Sequence, residues 1–282
     1  MCEYCEKYGE GDLWYLNPRN YSKRMYLRPE VGKKHVPDAI SYRKYRDGLF
    51  DEYWAIRDKD PKRAEEIFQE INNLYRKNEP CQVLPLKDCL KVVEIAQPLA
   101  AVSCICRRMM RAIDERNEHE YSCLGLGVGM LKWERWPERY KGGVHFLSVE
   151  EAKEWLIKWD KRGLMHCIMV YGSTEQGTPF IGGICNCDYP DCEPIRRRLD
   201  YGLTYNLLKS HYVAIVNYDQ CTGCGICVQR CQYGALKMEV TMHKPNIDML
   251  RCFGCGLCET GCPKGAIELV ERVKIPALKE AW

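Results

Sequence analysis

The 282-residue chain has no long apolar run. No window approaches 18 uninterrupted apolar residues, which excludes a membrane-spanning helix on sequence grounds. It has little excess charge: 42 basic against 39 acidic side chains leave a net +3 and a pI near 8.0, too mild to argue for nucleic acid. Neither a helix-turn-helix pattern nor a basic stripe is present, which disfavours a DNA-binding redox or metal sensor. Histidine is scarce, six in all, with no HExxH arrangement. No GxGxxG or GxxxxGK[ST] occurs, and Gly125, Gly127 and Gly129 in CLGLGVGM lack the preceding strand that a nucleotide fingerprint needs, so no flavin or nucleotide is indicated. The opening MCEYCEKYGEGDLWY is acidic, aromatic and broken by glycine, so it reads as neither signal peptide nor anchor.

What the chain has in excess is cysteine, nineteen in all. An odd total without an export signal speaks against a disulfide scaffold and for a reducing, cytoplasmic setting. The apolar fraction of 46% lets the larger part of the chain build a packed core without metals. These features together point to a soluble metalloprotein.

Eight of the cysteines fall in two runs, CTGCGICVQRC at Cys221–Cys231 and CFGCGLCETGCP at Cys252–Pro263. Both read Cys-x2-Cys-x2-Cys-x3-Cys. Three thiolates within seven residues wrap one iron–sulfur cube, and the fourth is carried away to the other cube. Two zinc sites could use Cys-x2-Cys pairs, but zinc does not explain the third and fourth cysteines or the repeat of all four. The repeat also matches Gly223 with Gly254 and Gly225 with Gly256, where the chain must turn tightly and aim N–H groups at inorganic sulfides.

This stretch of roughly 60 residues resembles the bacterial-type two-cluster ferredoxins. The resemblance implies one 4Fe–4S cluster on Cys221, Cys224, Cys227 and Cys262, and another on Cys252, Cys255, Cys258 and Cys231. Gln232 departs from the family, which usually has proline after the fourth cysteine.

The expected fold class is α+β: a mostly helical N-terminal domain with a few strands, followed by a small ferredoxin-like βαβ pseudo-repeat. Residues 1–59, with eight tyrosines and few apolar runs, read as an irregular aromatic-rich arm; the alternatives are docking to a partner or packing within the domain. Residues 60–210 form the cysteine-containing domain, 211–270 the ferredoxin-like unit and 271–282 a tail. Within the second, Asp60-Pro61 starts a helix whose Ile67, Ile71, Leu74 and Tyr75 share a face, up to Pro80. Ser148 and Glu151 make a capping box for a second helix, ended by Gly163. Leu164–Tyr171 reads as a strand, Glu193–Lys209 as a helix and Tyr212–Tyr218 as the first strand of the ferredoxin unit.

Among the upstream cysteines, Cys104 and Cys106 (SCICRR), Cys123, and Cys185, Cys187 and Cys192 (GGICNCDYPDC) form a candidate third site. A Cys-x-Cys pair is a poor disulfide, but both thiolates can face one metal or cluster. Arg107 and Arg108 would favour the thiolate forms. The competing reading makes these six small core residues, since free cysteine buries readily. Glycine, proline and aspartate around Cys185–Cys192 favour loops over core. Cys2, Cys5, Cys81 and Cys89 are a weaker fourth set. Cys167 reads as core, and His166 either as a ligand or proton donor or as a hydrogen-bonded structural residue.

In order, Cys104–Arg107, Cys123–Gly127, Ser148–Ala152, Gly163–His166 and Ile184–Cys187 resemble the CxCR, CLxxG, SxEEA, GLxH and ICNC segments of ferredoxin-fused proteins of strict anaerobes and archaea. The expected function is iron–sulfur electron transfer, as a subunit of an anaerobic oxidoreductase with a redox partner protein and no membrane span. Its cofactors are two 4Fe–4S clusters and, at the third site, a further 4Fe–4S cluster or another metal. The alternative is an enzyme whose N-terminal domain holds a catalytic cluster fed by the ferredoxin tail.

Overall fold

The computed structural model describes residues 2–21, 39–78, 81–104, 106–107, 121–127, 144–171 and 180–282. Arg108, Gly129 and Pro80 of the sequence reading lie outside the described residues. The α+β class holds, but the strands of the N-terminal part form one large sheet. Its members are β1 (Cys81–Leu84), β2 (Leu99–Val102), β3 (Cys123–Leu126), β4 (Val144–Leu147), β5 (Met165–Tyr171), β6 (Phe180–Cys187) and β7 (Leu207–Leu208). They run in the order β4-β2-β3-β6-β5-β1-β7, antiparallel except for the β1/β7 pair. Only β5 was marked by the sequence. Every residue of β1, β2 and β3 is buried, so these four-residue runs show no alternation of apolar and polar side chains.

The two faces of the sheet differ in chemistry. One carries Leu84, Leu99, Leu124, Leu126, Ile168 and Ile184, and packs on α4 (Leu86–Ile95) and α5 (Val149–Lys161) through Val92, Val93, Ala152 and Leu156. Ser148 caps α5 with the full capping box, its hydroxyl accepting from the Glu151 amide while the Glu151 carboxylate takes the Ser148 amide. The other face carries sulfur: Cys81, Cys123, Met165, Cys167, Cys185 and Cys187.

The N-terminal segment is not an irregular arm. Trp14 and Tyr15 are buried in the aliphatic face's core, anchored by Trp14 Nε1 donating to Gln82 Oε1 at 2.6 Å and Tyr15 Oη donating to Asp88 Oδ2 at 2.8 Å. Ahead of them lies α1 (Glu3–Tyr8), and residues of the expected arm also form α2 (Ala39–Ile56). The latter pairs with α3 (Pro61–Asn78), where Asp60 Oδ1 accepts the Arg63 amide and Ile67, Ile71 and Tyr75 are buried against Leu49 and Leu203. The helix expected over Glu193–Lys209 is shorter. It spans Glu193–Leu199 as α6, because Gly202 takes a left-handed turn (φ 72°) that redirects the chain into β7.

The ferredoxin-like unit pairs β8 (Tyr212–Val216) with β11 (Ile267–Glu271), and β9 (Leu236–Glu239) with β10 (Lys244–Ile247), around α7 (Ile226–Arg230) and α8 (Leu257–Thr260). It packs against the sulfur face through Tyr233, Phe253, Cys255 and Leu257. No helix among the described residues is long and apolar enough to cross a membrane.

Candidate metal centres

Each cysteine run leads into a short helix through a left-handed glycine turn. At Gly223 an added Cβ would lie 2.2 Å from the His243 carbonyl, and at Gly254 2.1 Å from that of Tyr212, so no side chain fits these turns. The turns leave two hollows of about 350 Å³, counting the parts open to solvent. One is lined by Cys252, Cys255 and Cys258 together with Cys231. The other is lined by Cys221, Cys224 and Cys227 together with Cys262. The fourth cysteine of each run thus stands at the hollow of the other run. Amides are aimed at sulfur as well: Gly254 N donates to Cys252 Sγ and Ala266 N to Cys262 Sγ, both at 3.3 Å. The hollows differ in depth. Cys252, Cys255 and Cys258 are buried, whereas Cys224 is exposed. Burial pushes the Cys255 thiol up to about 12 and Cys258 higher still, so metal-free thiols here would be protonated at neutral pH.

The six upstream candidates are neighbours on the sulfur face, spread along a chain of contacts and not gathered at one point. Antiparallel register puts Cys123 opposite Cys185, and Cys185 opposite Cys167, in one row across β3, β6 and β5. Cys187 lies two residues on and therefore on the same face. Cys123 Sγ and Cys185 Sγ are 4.0 Å apart. Cys104, just past the end of β2, lies beside Cys106, Cys123 and Cys187, and Cys187 beside Cys192. Cys167 and Cys81 extend the same chain of contacts, although sequence reasoning took Cys167 for core and placed Cys81 elsewhere. The register was the signal for both, and it is a tertiary fact. Cys104 and Cys185 are held well below the ordinary thiol range, first by donation from Cys106 and Cys123 respectively. The donors Cys106 and Cys123 are pushed up correspondingly.

Three neighbours lock this region together. Arg107, only 7% exposed, sends Nη2 to Asp188 Oδ1 at 2.7 Å, Nε to Asp191 Oδ2 at 3.3 Å and Nη1 to Ser122 Oγ at 3.0 Å. It thereby ties the Cys104 turn to the loop that runs from Cys187, at the end of β6, to Cys192. Gln232 donates to the carbonyls of Gly163 and Cys187 and accepts from the Tyr189 amide. Proline at this position would make none of these bonds, which gives the departure from the ferredoxin pattern a physical role. Tyr233 stacks on Phe253 with ring centroids 4.0 Å apart. Its buried hydroxyl has no hydrogen-bond partner among the described residues. Burial, then the thiols of Cys255, Cys167 and Cys192, push its ionisation far up, so it stays a proton donor among sulfurs.

The remaining candidates divide. Cys2, Cys5, Cys81 and Cys89 do not gather as a fourth set: Cys81 belongs to the sulfur face, and Cys89 is buried in the aliphatic core. Cys2 and Cys5 instead meet His211, a residue that sequence reasoning passed over. His166 lies away from the sulfur face. It is fully buried, with Nδ1 2.5 Å from Asn186 Oδ1 and Nε2 3.6 Å from Asp160, and its strand position puts it on the opposite face from Cys167.

Residues 219–266 match the family described as 4Fe-4S dicluster domain. No curated protein matches the chain. With the cysteine geometry, the match makes this an iron–sulfur protein with a 4Fe–4S-binding, ferredoxin-like segment and an electron-transfer role.

Proposed function

We propose that this chain relays single electrons between a soluble low-potential donor and the active site of a partner oxidoreductase, as a subunit of an anaerobic complex. The carrying observation is the lining of the two tail hollows, each with three cysteines of one run and the fourth of the other. Cys221, Cys224, Cys227 and Cys262 would hold one 4Fe–4S cluster; Cys252, Cys255, Cys258 and Cys231 the other. A bound cluster supplies a one-electron couple whose potential follows from burial and hydrogen bonds to sulfur. The exposed Cys224 turns its hollow toward solvent and toward a donor. The buried hollow backs onto the sulfur face through Tyr233 and Phe253.

On that face, Cys104, Cys106, Cys123, Cys185, Cys187 and Cys192 would hold a third centre. One observation favours a cluster there over a single ion: the neighbouring sulfurs form an extended chain, and among the described residues only Cys2, Cys5 and His211 bring three ligand atoms within 4.8 Å of one another. The Tyr233 hydroxyl, buried between the deeper tail hollow and this face with no partner among the described residues, suits donation to sulfur on either side. Iron and labile sulfide counted on the anaerobically purified chain test this: about twelve of each is expected, and about eight would refute the third centre. Cys187→Ala should return the count to about eight and lower the melting temperature of the N-terminal part. An unchanged count would remove Cys187 from the ligand set.

A further inference from the structure

Away from the sulfur face, the two ends of the chain and the start of the ferredoxin-like unit meet at one buried point. Cys2 and Cys5 bracket the first turn of α1, with the Cys5 amide donating to Cys2 Sγ at 3.4 Å. Their sulfurs are 3.3 Å apart. His211, the residue before β8, brings Nε2 to 3.1 Å from Cys5 Sγ and 3.3 Å from Cys2 Sγ. All three residues are buried.

We propose that Cys2, Cys5 and His211 hold one zinc ion, which fastens α1 to the junction where the ferredoxin-like unit begins. The ligand atoms converge on a single point, as a mononuclear ion requires; thiolates on a cube bind different irons and stand further apart. Tetrahedral zinc with Zn–S of about 2.3 Å and Zn–N of about 2.0–2.1 Å sets its ligand atoms about 3.6–3.8 Å from one another. The three atoms need only part by about half an ångström to take the ion. Two thiolates and an imidazole are also the donor set that prefers zinc over magnesium or calcium.

The tautomer of His211 is set for the same purpose. Tyr15 has one hydroxyl proton, and its 2.8 Å bond to the Asp88 carboxylate uses it. The Tyr15 oxygen, 3.3 Å from His211 Nδ1, is therefore left to accept the Nδ1 proton, which leaves the Nε2 lone pair facing the two sulfurs. Trp282 closes the far side, its ring edge-on to the imidazole with centroids 5.2 Å apart. Zinc uptake would displace the two thiol protons to solvent, with no change of oxidation state. Three protein ligands leave the fourth position to a small oxygen donor such as water.

The placement gives the ion a structural effect. The His211 carbonyl accepts the amide of Arg272, whose buried guanidinium reaches the carbonyls of Ser210, Tyr212 and Cys252. A staple at His211 therefore acts on the backbone that shapes the deeper hollow.

The test uses the full-length chain purified anaerobically with its clusters. Elemental analysis should find one zinc per chain beside the cluster iron, and zinc-edge X-ray absorption should give two sulfurs at about 2.3 Å with lighter atoms at about 2.0–2.1 Å. Cys5→Ser and His211→Gln should each drop zinc at least tenfold while the iron count holds. His211→Cys should keep the zinc and convert its shell to three sulfurs, a gain that a misfolded variant would not show. Less than a tenth of an equivalent of zinc in the parent chain grown with zinc overturns the proposal. So does a four-sulfur shell insensitive to Cys5→Ser, which would assign the ion to the sulfur face instead.

Discussion

Arg107 gives the sharpest test of how the sulfur face is held together. Its side chain is 8% exposed and forks between Asp188, itself about one-third exposed, and Asp191, 7% exposed. Replacing it with methionine keeps much of the volume but takes the guanidinium away from Asp188, Asp191 and Ser122. Removing one partner of a buried pair costs about 3–5 kcal/mol; since Asp188 can relax into water, the lower figure of about 3 kcal/mol applies. For a unit of this size about 2–4 °C of melting temperature goes with each kcal/mol, so R107M should melt about 6–12 °C below the parent chain. R107K should fall between the two, because one ammonium cannot span both carboxylates and the serine. Adding D188N and D191N to R107M removes the negative charges that faced the guanidinium and should restore part of the loss. Anaerobic circular-dichroism melts with iron counts provide the assay, and upstream iron should fall along with stability, because Arg107 joins the turn that carries Cys104 to the loop between Cys187 and Cys192. An R107M melt within about 2 °C of the parent would refute the reasoning.

Cys231→Ala should damage the centre at Cys252, Cys255 and Cys258 and spare the one at Cys221, Cys224 and Cys227; electron paramagnetic resonance showing the reverse would break the crossed assignment. Tyr233→Phe deletes a donor worth about 0.5–1.5 kcal/mol, so a neighbouring cluster potential should fall by about 20–60 mV, and potentials unmoved in a redox titration would mean the hydroxyl bonds no sulfur. Chelation or air should strip hydrogen-exchange protection from residues 211–270 while α5 and β5 keep theirs, because cluster binding supplies much of the folding energy of so small a unit. Persistent protection of β8 and β11 in the apo form would count against that view.

By itself the sequence determined what local spacing can determine. Three ligands within seven residues, a glycine that must turn left-handed, a capping box at Ser148 and Glu151, and a proline at the first position of α3 all act over one or two turns of chain. Residues close in sequence are close in space whatever the fold, so these features were legible at once. The upstream cysteines that share the sulfur face were legible only as a set of residue types, with their placement left to the fold. Tertiary structure alone decided the rest. Cys123 meets Cys185 across 62 residues, and Cys167 joins their row, because antiparallel register fixes which side chains share a face. Of the strands in that row, β3 is four residues long and buried throughout, so it shows no alternation that would announce it, and its meeting with β6 and β5 is fixed only by the register. The same holds for Cys5 and His211, 206 residues apart, which only the packing of the N-terminal segment against the start of β8 brings together. A lone Cys-x2-Cys carries half of a metal site, and the other half was placed by the core that buries Trp14, Tyr15 and Asp88 around it.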